Sequence, residues 1–267
     1  MNKIQTIAIC ALALLTGACA SDEPAKGGEE RVSITLFAPE TLTRAEGTVT
    51  VDRLSYAVFD ITDGSRETVE TTTLEEEASF PMNLNLDLVA GHQYGLLFWA
   101  GNADAPYIID LEAGTLTADY TKAKAGDPAL DGFYGYATVS LDNATSLSLT
   151  LQRPFAMVAI GATTEPAAEG LAGLSVSSAA TTLNLLTGVT SGDEAADFAP
   201  APVVNGDDYP VEGYYYVTYA YVLEPKAPTK GVTVSYTYNG TTVTANDVTL
   251  QANYRTNIYG TLPGVWN

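Results

Sequence analysis

From Arg31 onward the chain alternates apolar and polar residues with a period of two. Val32, Ile34 and Leu36 alternate with Ser33 and Thr35, and Leu84, Leu86 and Leu88 with Asn83, Asn85 and Asp87. Leu147, Leu149 and Leu151 alternate with Ser146, Ser148 and Thr150; Val232, Val234, Tyr236 and Tyr238 do so with Thr233, Ser235 and Thr237. Successive side chains of a strand point to opposite faces, so each run offers one face to a core and one to water. That is the pattern of antiparallel sheets with one solvated side. Turn pairs fall between the runs: Asp63-Gly64, Ala90-Gly91, Asp131-Gly132, Gly206-Asp207 and Asn239-Gly240. The last, between two alternating runs, is the strongest hairpin signal. Helical pattern is nearly absent: Leu116 to Lys124 offers a short helix and Asp193 to Ala196 a single turn.

Many short strands separated by turns predict an all-β fold of sandwich type. Well over 200 residues of such strands exceed one ordinary sandwich, so two in tandem are expected, residues 31–152 and 153–267. The boundary is set at Gln152-Arg153-Pro154. Pro154 cannot donate to a ladder and biases Arg153 toward extended backbone, which suits a crossover.

The first eighteen residues read as a signal peptide. Lys3 supplies a positive start, Ile7 to Leu15 an apolar run, and Thr16-Gly17-Ala18 small residues. The run falls well short of the roughly 20 apolar residues that span a bilayer. Leu15-Thr-Gly-Ala-Cys19 resembles a lipobox, with Thr16 its one unusual position, which makes Cys19 the expected lipidation site. The competing reading is an ordinary secretory signal cut near Ala18 or Ala20. Residues 19–30 are polar and without apolar periodicity, a flexible tether. Within it Asp22-Glu23 resembles the surface-export signal of Bacteroidetes lipoproteins. The expected location is therefore the outer membrane, surface-exposed, with the lipid as the sole membrane contact. Cys10 leaves with the signal, so one cysteine remains of two; neither an intramolecular disulfide nor a zinc site on cysteine pairs can form.

Composition narrows the partners. Lys and Arg total 12 against 32 Asp and Glu, a net charge of −20 that becomes −21 once Lys3 is removed. Such a chain is repelled by nucleic acid phosphates and anionic membrane surfaces. Catalytic chemistry has little to work with. His92, the single histidine, lies in the turn Ala-Gly-His-Gln-Tyr94 with no nucleophile motif nearby and reads as a solvated turn residue. Glu75-Glu76-Glu77 on a strand would point to alternate faces and cannot converge. The acidic turns Asp60 to Asp63, Asp127 to Asp131 and Asp193 to Asp197 lack EF-hand spacing and its closing Glu. No catalytic residue, metal or cofactor is expected, and no enzyme. Trp99 reads as core. Tyr214-Tyr-Tyr-Val-Thr-Tyr-Ala-Tyr221 is the most distinctive segment; in a regular strand Tyr214 and Tyr216 share one face, and Tyr215, Val217, Tyr219 and Tyr221 the other. Tyr214 and Tyr216 then form either a sugar-binding or subunit-contact platform or the cover of an ordinary strand, and tyrosine's frequency in strands favours the second.

Six segments together carry a family resemblance: Val51 to Asp60, His92 to Ala100, Asp131 to Gly135, Leu151 to Ile160, Thr182 to Gly188 and Asn253 to Gly260. In order and spacing they resemble the fimbrillin-like lipoproteins of Bacteroidales, the class of fimbrial subunits and related surface proteins. The resemblance implies two transthyretin-like β-sandwiches in tandem. It also implies a meaning for Thr43-Arg44: in polymerising members a trypsin-like protease cuts after an arginine near the N-terminus, the excised strand leaves an apolar groove, and a strand of the next subunit fills it. Here Val32, Ile34 and Leu36 would mark the exchanged strand, Arg44 the cut and Ala45 the new N-terminus. After Gly260 only Thr-Leu-Pro-Gly-Val-Trp-Asn267 follows, with Pro263 inside it, a poor donor strand. The chain is thus expected to accept a strand without donating one, or not to polymerise. The function expected is a structural and adhesive fimbrial, accessory or cap subunit, with other subunits or itself as partners. The alternative is a non-polymerising outer-membrane lipoprotein that binds glycans or host ligands.

Overall fold

The computed structural model of the chain describes residues 28–39, 50–75, 78–141, 146–167, 170–200 and 209–263. The signal segment, Cys19, Arg44, Ala45 and the Gly206-Asp207 turn lie outside the described residues. The first half forms β1 (Glu29–Phe37), β2 (Thr50–Val51), β3 (Arg53–Asp60), β4 (Glu67–Leu74), β5 (Ala78–Ser79), β6 (Met82–Val89) and β7 (Gln93–Gly101). It continues through β8 (Tyr107–Asp110), β9 (Thr115–Ala118), two 3₁₀ turns at Tyr120–Lys122 and Pro128–Leu130, β10 (Phe133–Ser140) and β11 (Ser146–Thr150). The second half forms β12 (Phe155–Ala162), β13 (Leu171–Ala179), β14 (Thr182–Asn184), β15 (Val189–Ser191) and β16 (Glu194–Phe198). Then come β17 (Tyr215–Leu223), β18 (Thr229–Tyr238), β19 (Thr241–Leu250) and β20 (Arg255–Gly260).

The expected all-β, tandem-sandwich fold is present, and its strand order repeats. In the first half the sheet β11-β1-β6 packs on the sheet β10-β7-β3-β4; in the second, β20-β12-β17 packs on β19-β18-β13-β16. Setting aside the short strands, both halves place their seven strands in the same order. The first strand lies in the centre of the smaller sheet, parallel to the last strand and antiparallel to the fourth. A further sheet, β15-β14-β9-β8, draws two strands from each side of Arg153. Two apolar clusters fill the interior. One lies around Val32, Ile34, Leu36, Leu96 and Phe98. The other runs from Trp99 and Phe155 through β12, β17 and β18.

Two local expectations give way to longer-range pairing. Leu116 to Lys124 is strand β9 followed by a 3₁₀ turn, because Leu116 and Ala118 alternate inward around exposed Thr117 and pair with β14. Asp193 to Ala196 is no helical turn: Asp193 precedes strand β16, which Glu194 opens, with Ala196 and Phe198 buried. Asn239-Gly240 does join β18 to β19, with φ of 46° and 74°, the geometry that two-residue hairpins require. Ala90-Gly91 instead carries the chain from β6 in one sheet to β7 in the opposing one, so His92 lies on an arch and not in a hairpin turn.

Candidate functional site

Strand β1 is the centre of its sheet and is held along both edges. It pairs antiparallel with β6 from Glu29 opposite Val89 to Leu36 opposite Met82, and parallel with β11 from Ser33 to Phe37. Gly28 O accepts from Ala90 N at 3.0 Å and Phe37 O from Leu151 N at 2.8 Å, extending the ladders past both ends. Val32, Ile34 and Leu36 are each 0% exposed and pack with Leu86, Leu88 and Leu151. Burying three such side chains contributes roughly 5–9 kcal/mol of transfer free energy. The opposite face of β1 is polar and solvent-facing. There Arg31 Nε meets Asp87 Oδ1 at 2.9 Å, Ser33 Oγ donates to Asn85 Oδ1 at 2.9 Å, and Thr35 Oγ1 donates to Asn83 Oδ1 at 2.8 Å.

The tyrosine run departs from regular alternation. Ile160 pairs with Thr218 but Gly161 with Tyr216, so Val217 is an extra residue bulged between them. The bulge brings Tyr216 into ring contact with Tyr219 at 6.0 Å, correcting the assignment of these two rings to opposite faces, while Tyr219 meets Tyr221 at 6.0 Å on the face they share. Tyr209 completes the stack: its ring meets Tyr216 at 5.0 Å, and its hydroxyl donates to Ala159 O or Ile258 O at 3.2 and 3.3 Å. Only a glycine permits this seat, since a Cβ on Gly161 would lie 2.6 Å from the Tyr209 ring. Tyr214 packs against Tyr259 at 4.8 Å. Tyr214 and Tyr216 are thus half-buried within an aromatic stack, while Tyr215 is the exposed ring of the run.

His92 is partnered: Nδ1 lies 2.6 Å from Asp60 Oδ2, and the ring stacks on Tyr94. Partial burial opposes the Asp60 charge, but hydrogen bonds from Thr62 and His92 outweigh it and hold the carboxyl below its ordinary value. Glu75 pairs with Arg53 at 3.1 Å, and Glu76 and Glu77 lie outside the described residues. Among the described residues no three His, Cys, Asp or Glu side chains converge as metal ligands.

Two features are invisible to a reading of local pattern. Arg153 forms a two-pronged ion pair with Asp131, at 2.8 and 3.0 Å, with both side chains 9% exposed. Its guanidinium lies 5.0 Å from the Phe133 ring centre and donates to Asn253 Oδ1 at 3.4 Å. Three of the segments that carry the family resemblance, those holding Asp131, Arg153 and Asn253, therefore meet at one buried joint between the halves. The second feature is Glu224, whose side chain is buried at the end of β17.

A family model described as a family of unknown function (DUF6562) matches residues 24–262 of the chain. No curated protein sequence matches it. Among solved structures, an inferred polysaccharide-binding protein (DUF1812) from Bacteroides thetaiotaomicron is similar, with a TM-score of 0.59 and 16% identity over 90% of this chain and 94% of that one. An inferred adhesin from the same species gives 0.53 and 13%, over 85% and 81%. A fimbrial assembly protein from Parabacteroides distasonis gives 0.50 and 15%, over 87% and 91%. At these identities the likeness is one of fold, and at that level the resemblance to the fimbrillin-like class holds.

Proposed function

We propose that this chain, which belongs to the DUF6562 family of unknown function, is a non-enzymatic, surface-exposed lipoprotein that serves as a structural and adhesive fimbrial, accessory or cap subunit. Lipid on Cys19 and the tether behind it would hold the folded part at the outer membrane. The observation that carries the reading is the placement of β1: a central strand buried on its inner face at Val32, Ile34 and Leu36 and carrying Arg31, Ser33 and Thr35 on its outer one, ahead of the segment that holds Arg44. A cut after Arg44 leaves Glu29–Phe37 held by noncovalent contacts alone. Its departure would bare the facing edges of β6 and β11 and the pockets of Val32, Ile34 and Leu36, a template for strand addition. Partners are then further subunits, or copies of this chain, that supply a strand. The fold shared with a fimbrial assembly protein and an inferred adhesin supports the same role.

The test is limited digestion with a trypsin-like protease, followed by electrophoresis in mild detergent. Cleavage at Arg44 should let the chain take up a strand supplied by another subunit or by an added peptide of residues 29–37, and should build oligomers wherever a copy of the chain can supply that strand. Cleaved protein that takes up no added strand refutes the exchange. Mass spectrometry of the mature N-terminus on cells reads the anchor directly: lipidated Cys19 marks the tethered form and Ala45 the processed one.

A further inference from the structure

We infer that the outward face of β6, through Asn83, Asn85 and Asp87, is a ruler that fixes the register of whatever strand lies beside it. Its fitting partner is an extended segment carrying one cation and then two hydroxyl residues at alternate positions, with aliphatic residues between. The inference rests on the strand-exchange reading above and deepens it. Apolar alternation alone cannot set this register. A slip of two residues along β6 still faces Val32, Ile34 and Leu36 into the core, because only odd slips turn a strand inside out. The outer rungs break the tie. In the observed register Arg31 opposes Asp87, Ser33 opposes Asn85 and Thr35 opposes Asn83, each pair joined by a side-chain bond of 2.9, 2.9 and 2.8 Å. A slip of two one way sets Glu29 against Asp87 and loses the ion pair; the other way sets Phe37 against Asn83 and Arg31 against Val89. Across the strand, β11 offers Ser146, Ser148 and Thr150, which carry no charge and discriminate less.

The experiment uses the chain nicked after Arg44 with β1 still seated, and fluorescent nonapeptides that compete for its place. The peptide Glu-Glu-Arg-Val-Ser-Ile-Thr-Leu-Phe, residues 29–37, should exchange in. Arg31→Glu in the peptide should weaken it roughly two- to five-fold, the range of an exposed ion pair, and Asp87→Lys in the protein should restore it. A cysteine at peptide position 33 should crosslink to Asn85→Cys and not to Asn83→Cys, whereas a peptide with Thr at 31 and 35 should crosslink to both. Equal binding by native and charge-swapped peptides, with scattered crosslinks, overturns the ruler and leaves the groove intact. Failure of the native peptide itself to exchange overturns the groove reading, and the ruler with it.

Discussion

Glu224 directly follows strand β17, with 2% of its surface exposed. Oε2 accepts from Thr229 Oγ1 at 2.7 Å, while Oε1 has no partner among the described residues. Burial pushes its carboxyl up to about 7; the Thr229 hydroxyl opposes the rise and the charge of Asp193 adds to it. The folded chain therefore holds this proton more tightly than the unfolded chain, whose carboxyl keeps its ordinary value of 4.5. It follows that the group imposes no penalty below about pH 4.5, that stability falls as pH rises toward 7, and that the loss levels off above. The rise from 4.5 to about 7 corresponds to about 3 kcal/mol. Glu224→Gln is neutral at every pH and keeps an acceptor for Thr229, but places an amide N–H donor at the Oε1 position, which has no partner among the described residues. The variant should be about 1–3 kcal/mol more stable than the parent near pH 8.5 and equal or slightly weaker near pH 5. Urea denaturation at both pH values, read by tyrosine fluorescence, measures this. A stability difference between variant and parent that is the same at the two pH values refutes the account.

Ile34→Ala removes a fully buried side chain from the central strand of its sheet; it should cost about 2–5 kcal/mol in the urea midpoint and speed release of β1 after a cut at Arg44. Asp131→Ala leaves Arg153 buried and uncompensated, at about 3–5 kcal/mol by the same assay. Replacing both residues, as Asp131→Leu with Arg153→Met, should recover most of that loss; failure to recover any of it would show that the ion pair does more than neutralise itself. Gly161→Ala puts a methyl within 2.6 Å of the Tyr209 ring. It should cost about 1–3 kcal/mol and change the near-ultraviolet circular dichroism of the tyrosine stack, while a larger change from Tyr215→Ala would contradict the stack described here.

The alternating runs specify strand and buried face wherever the ladder is regular: Val32, Ile34 and Leu36 are the inner face of β1, and Val232 to Tyr238 that of β18. They fail where a partner distant in the chain decides. The bulge at Val217 depends on how β17 meets β12, and nothing within Tyr214 to Tyr221 encodes it. Leu116 to Lys124 has an ambiguous local pattern that is resolved only by pairing with β14, more than sixty residues later. Arg153 and Asp131 are 22 positions apart and Arg153 and Asn253 are 100 apart. Each alone reads as a surface charge or a turn residue, and their clustering is visible only as resemblance segments with no stated contact. Nothing in the local pattern marks Glu224 either, since the hydrogen-bond partner of its carboxyl, Thr229, lies beyond the end of its strand. The strand proposed to exchange is more legible, because the inner and outer faces of β1 are both written into one short run.

The repeated topology sharpens why β1, and not its counterpart, is the strand proposed to leave. β1 and β12 hold the same central position in equivalent sheets. β12 is buried on both faces throughout Phe155–Ala162, whereas β1 is fully buried only at Val32, Ile34 and Leu36. One face of β12 lies under the tyrosine stack, with Tyr209 seated on Gly161. Its entry is clamped by the Arg153–Asp131 pair and by Asn253 N donating to Phe155 O at 2.8 Å. Removing β12 would open two packed surfaces and a buried ion pair together. Removing β1 opens one packed surface and an outer face whose rungs, Arg31 to Asp87 above all, are exposed and screened by solvent, so that each adds little. Both first strands are bound by similar backbone ladders, so the difference lies in the second face. On a symmetric frame, leaving the second face of β1 to water makes its release less costly than that of β12, which is why the proposed exchange falls on β1 and not on its twin.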